Sequence, residues 1–120
     1  MINKIQKGLM LDKDEYYKKH LSIINPMFPV QLVKKEIEVL AAFLALDEAL
    51  VEDDYFNTVA RKKVRETLNL TAGNLSNYLR SMITKGFLDK SEISGRITIK
   101  EFLIPETEAQ GYMFKIVNKG

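Results

Sequence analysis

Four cations crowd into one short stretch at Arg61, Lys62, Lys63 and Arg65. A run of small and polar side chains follows at Gly73, Asn74, Ser76, Asn77 and Arg80. Lysine and arginine neutralise phosphates, and asparagine and arginine bond base edges two hydrogen bonds at a time. No other set of side chains in the chain points so directly at one chemistry. His20 is the only histidine and cysteine is absent, so a single chain offers neither a histidine- or cysteine-based zinc site nor a Ser-His-Asp arrangement. Asp47, Glu48, Glu52, Asp53 and Asp54 lack the glycine and the spacing of a calcium loop, and read as a solvated acidic loop. There is no glycine-rich phosphate loop. The residue set speaks against an enzyme, and no metal or cofactor is expected.

The charge distribution agrees. The net charge is +2, but residues 57–86 hold six cations against Glu66 alone. Residues 1–56 are net acidic and residues 87–120 are balanced. A basic block on a near-neutral chain suggests a directed anionic partner. With 120 residues, 46% hydrophobic and 28% charged, the chain suits one globular domain with a modest core. The longest apolar run, Val39–Leu46, is too short to span a bilayer, and the N-terminal residues do not read as a signal peptide. No membrane role and a cytoplasmic location are the expectation.

These residues must be positioned by local structure. The spacing predicts a first helix over Asp12–Asn25, with Asp12, Asp14 and Glu15 in its first turn and Pro26 and Pro29 beyond its end. A second, central helix is predicted from Gln31 to about Leu50 on the stripe Val33, Ile37, Leu40 and Leu44. "DEALVEDDYF" is expected to be a surface loop. A third helix should start at Asn57 or Thr58, bury Val64 and Leu68 with Val59 and Ala60, and close at a left-handed Asn69. Thr71 should cap a fourth helix that buries Leu75, Leu79 and Met82 and ends before Gly86. "FLDK", "RITIKEFLI" and "YMFKIV" read as strands, with "SEISG" and "PETEAQG" as connectors.

The stretch "LNLTAGNLSNYLRSMITKGFL" has a turn, an amphipathic helix, a Lys-Gly stop and an apolar strand. Through it, residues 31–104 resemble the winged helix-turn-helix family, most of all its MarR-type and replication-initiator-type members. The resemblance implies an α+β, mainly α fold: a helical bundle followed by a β-hairpin wing, with an additional N-terminal helix. It divides the chain into an N-terminal helical arm, 1–30, and a winged helix domain, 31–120. It implies that Thr71–Lys85 is the recognition helix and that "SEISGR", with Ser94 and Arg96, is the tip of the wing. Dimerisation through terminal helices would follow from the MarR-like members.

The expected function is that of a DNA-binding protein, a small transcriptional regulator acting on double-stranded DNA. Gly73, Asn74, Ser76, Asn77 and Arg80 would meet base edges. Arg61, Lys62, Lys63, Arg65, Thr71 and Lys85 would meet phosphates. The bland alternative is a solvated helix face, with Lys62 or Arg65 paired to Glu66. A different class of function also suits the pattern: a structural or adaptor protein, such as a virion or assembly component, that docks on another protein through the same face.

Overall fold

The computed structural model of the chain describes residues 12–105. Within them lie five α-helices and one two-stranded antiparallel hairpin, an α+β and mainly helical arrangement. The helices are α1 (Lys13–Ile24), α2 (Lys34–Leu44), α3 (Glu48–Val51), α4 (Thr58–Leu68) and α5 (Ala72–Thr84). The hairpin pairs β1 (Leu88–Lys90) with β2 (Ile97–Ile99), Leu88 opposite Ile99 and Lys90 opposite Ile97. No described helix is long and apolar enough to cross a membrane. The strand expected in "YMFKIV" lies outside the described residues.

Helix α2 is the centre of the core. Val39, Leu40, Ala41 and Phe43 are fully buried, and α2 packs against α1, α4 and α5. Leu21 of α1, Val64 of α4, Leu75, Leu79 and Met82 of α5 and Phe87 and Leu88 of the hairpin close around it. Burying each large apolar side chain stabilises the fold by about 1.5–3 kcal/mol before chain entropy is counted. Phe43 meets Phe56 with ring centroids 4.6 Å apart, which ties the segment before α4 to the centre.

The ends of the helices follow local chemistry. The Asp12 carboxylate accepts from Glu15 N–H at 2.9 Å and starts α1. Pro26 then sits in a short 3-10 turn, Asn25–Met27. Asn25 is buried there and bonds both backbone groups of Leu32, at 2.8 and 2.9 Å, holding the α1–α2 connection as a loop. On α4, the Asn57 side chain, rather than Thr58, accepts from Ala60 N–H at 2.8 Å. The helix closes at Asn69 in the left-handed region, φ 54°, where Asn69 and Leu70 N–H both donate to Arg65 O. Thr71 Oγ1 accepts from Asn74 N–H at 3.0 Å and opens α5. Gly86, at φ +87°, takes the turn into β1 that a side chain would strain.

Four expectations need correction. The central helix does not run from Gln31 to Leu50. It spans Lys34–Leu44, and the chain turns at Ala45–Leu46 before Asp47 caps α3 through Ala49 N–H at 3.1 Å. "DEALVEDDYF" is consequently not all surface loop, because Val51 and Phe56 are buried. Val59 does not join the inward face of α4: it is 52% exposed, while Ala60 and Val64 point in. The strand expected across "RITIKEFLI" stops at Ile99. The chain then folds into a 3-10 turn, Glu101–Leu103, that drives Leu103 into the core. There Leu103 O meets Nε2 of the buried His20 at 3.1 Å. Burial holds the His20 imidazole below its usual pKa, against a smaller opposing effect of that carbonyl.

Candidate nucleic-acid interface

Helices α4 and α5 stand next to one another across the turn Asn69–Thr71, and the hairpin leaves directly from the end of α5. This order decides where the basic block lies. Ala60 and Val64 anchor α4 in the core. Helical periodicity then sets Arg61 and Arg65 on one flank, Lys62 on the outer side and Lys63 on the opposite flank. The four cations therefore do not share a single face. Lys62 and Lys63 are exposed, and Arg61 and Arg65 are half-buried. None of the four is within 4.0 Å of a carboxylate in the described structure, so neither Lys62 nor Arg65 is paired to Glu66. Arg61 is oriented instead: its Nε donates to Phe56 O at 2.6 Å, and the terminal nitrogens of the guanidinium make no hydrogen bond among the described residues.

The outward face of α5 divides into a crest and two flanks. With Leu75, Leu79 and Met82 inward, Gly73 and Asn77 lie at the crest. Ser76 and Arg80 turn toward the hairpin, and Asn74 lies on the other flank. All five are exposed. A Cβ built on Gly73 would meet nothing within 4 Å, so that residue leaves an open, low spot on the crest.

Ser76 and Arg80 meet Arg61 in a cleft of about 430 Å³ between α4, α5 and the hairpin. Leu79, Ile83 and Ile97 form its floor, and Lys90 and Gly95 close it from the hairpin side. Lys90 was not expected from the sequence. Its local spacing carries no such signal; the folded hairpin sets it opposite Ile97, and β1 packs against α5. The neighbouring carboxylate, Asp89, is engaged by Lys100 at 2.9 Å and does not neutralise Lys90.

Two residues expected to touch phosphate have other partners. Thr71 uses its hydroxyl to cap α5. Lys85 is not on the open surface with the other cations: its Nζ lies 2.5 Å from Oε1 of Glu36, which is almost fully buried at the start of α2. The same oxygen accepts from Val33 N–H at 2.8 Å, while Oε2 has no partner at hydrogen-bond distance and angle among the described residues. Burial pushes the Glu36 carboxyl up, but Lys85, the Ser81 hydroxyl beside it and Val33 N–H outweigh burial, and the group rests below the usual glutamate range. Lys85 thus fastens the end of α5 to the start of α2. At the hairpin tip, Ser94 Oγ accepts from Arg96 N–H at 3.2 Å, and Gly95, at φ +72°, donates to Ser91 O at 2.8 Å. The Arg96 side chain is exposed at this tip and makes no ion pair among the described residues.

Compared with protein-family models, curated proteins and solved structures, the chain matches none.

Proposed function

We propose that the chain is a DNA-binding protein of winged helix-turn-helix design, a small regulator that lays α5 in the major groove of double-stranded DNA. Helix α4 would then cross the backbone and the hairpin would act as the wing. The observation that carries this reading is a set of cations that make no ion pair among the described residues: Arg61 and Arg65 on α4, Arg80 on α5 and Lys90 and Arg96 on the hairpin. Lys18, Lys35, Lys85 and Lys100, by contrast, are engaged by carboxylates. Gly73 lets a partner approach the crest of α5, and Asn77 beside it suits the two-bond recognition of adenine. Asn74 and Ser76 border that contact.

The test is a fluorescence-anisotropy titration of mixed-sequence duplex DNA at low and at physiological salt. The wild type should bind at low salt and weaken steeply as salt rises. The Arg61→Ala, Lys62→Ala, Arg65→Ala triple variant should lose most of that binding. A wild type that ignores duplex DNA at low salt would leave the adaptor reading, in which the same low, polar crest packs closely against another protein.

A further inference from the structure

We infer that the cleft between α4, α5 and the hairpin receives the acidic segment, residues 47–55, of a second copy of this chain. The inference stands apart from the DNA reading, because the contact forms with no nucleic acid present.

Both halves of the contact are carried by one chain. The receiving half is concave. Arg61 from α4, Arg80 from α5 and Lys90 from β1 line it, and no carboxylate does. None of the three makes an ion pair among the described residues. The floor is apolar, made by Leu79, Ile83 and Ile97. A cleft of this make-up favours a ligand that brings negative charge and apolar surface together. The entering half has that composition. Glu48, Glu52 and Asp53 are exposed and make no ion pair among the described residues. Leu50 and Tyr55 lie in the same segment, half-buried against the core, and each keeps part of its apolar surface in solvent.

A single copy does not satisfy both halves. Arg61 Nε donates to Phe56 O at 2.6 Å, and the Asp54 carboxylate accepts from Phe56 N–H at 2.9 Å. The two bond the same residue without pairing with each other. A second copy supplies what the first lacks, since each set of charges is the countercharge of the other. In the contact, Glu52 and Asp53 meet Arg80 and Lys90, and the exposed edge of Tyr55 covers part of the apolar floor. On the DNA reading, a second copy and a duplex then exclude one another, because both need Arg61 and Arg80.

Sedimentation equilibrium of the full chain without nucleic acid tests this. At low salt the weight-average mass should rise above the monomer's 13.8 kDa as protein concentration increases. It should return to that value in molar salt, where the Debye length falls to about 3 Å. Arg80→Glu with Lys90→Glu should weaken association at least about tenfold, and so should Glu52→Lys with Asp53→Lys. An equimolar mixture of the two double variants should restore it, because the reversed surfaces again carry opposite charge. Lys19→Glu with Lys34→Glu changes the net charge equally on exposed residues of α1 and α2, and should associate as wild type does. Every substituted residue is exposed, and thermal unfolding of each variant checks that the fold is kept. A wild type that stays at the monomer mass at low salt overturns the inference, whatever it does with duplex DNA. Association that survives molar salt also overturns it, and places the contact on exposed apolar side chains such as Met27 and Phe102. Folded double variants that stay apart when mixed overturn the pairing of these two surfaces.

Discussion

At the scale of single residues, the pair Glu36 and Lys85 shows how a cation is judged by its surroundings. Its sequence position, just past the predicted recognition helix and within the basic block of residues 57–86, makes Lys85 look like a phosphate contact. Its position in space is beside a buried carboxylate. Removing one partner of a buried pair strands the other, so Lys85→Met should destabilise the protein at neutral pH by about 3 kcal/mol, the low end of the range since Lys85 itself is partly exposed. The folded carboxyl of Glu36 sits below its unfolded range, so its contribution is present at neutral pH and is lost as pH falls through the lowered value. In Lys85→Met, burial pushes the carboxyl up, and the variant recovers stability as the group takes a proton. Urea unfolding at neutral and at acidic pH should show the gap between variant and wild type narrowing on acidification. A gap that stays constant would mean that the pair does not contribute through its charges.

At the scale of elements, helix α4 depends on Asn57. Its side chain accepts from Ala60 N–H and donates to Leu50 O and Asp54 O at 2.8 and 2.9 Å, so one residue starts the basic helix and fastens the segment before it. Asn57→Ala should lower stability by about 1–2 kcal/mol, seen as an earlier urea midpoint with an unchanged slope. Asn57→Asp keeps the acceptor and loses the two donated bonds, and should fall between the two. An Asn57→Ala variant as stable as wild type would show that packing alone sets the start of α4. Capping residues of this kind explain why α4, the turn and α5 were legible in the sequence. Asn57, Asn69, Thr71 and Gly86 each act within a few residues of their own position. The break in the central helix was not legible, because "VLAAFLALDEAL" stays apolar at helical spacing straight through it. What stops α2 is a turn at Ala45–Leu46, with Leu46 O taken by the Lys13 ammonium at 3.1 Å, and a fresh start at Asp47. Strand length failed for a related reason. Phe102–Ile104 have strand-favouring side chains, but Lys100 N–H bonds Phe87 O at 3.2 Å, and the described chain then turns inward toward His20. Neither partner is visible from local spacing. The candidate site divides in the same way. Helix periodicity placed Gly73 and Asn77, while the meeting of Arg61, Arg80 and Lys90 needed the hairpin's position.

At the scale of the whole molecule, the division of charge in the sequence becomes a division of surfaces. The net acidic first half supplies α1, α2 and α3, and the cations gather where α4, α5 and the hairpin adjoin. The central claim is that duplex DNA meets this one region. Amide-resolved NMR titration with a short duplex at low salt tests it most directly. The account predicts shifts concentrated at Arg61 and Arg65, along Gly73 to Arg80, and at Lys90 to Arg96, with α1 and Met27 to Val33 undisturbed. Shifts centred instead on α1 or on Met27 to Val33, or no shifts at all, would contradict it.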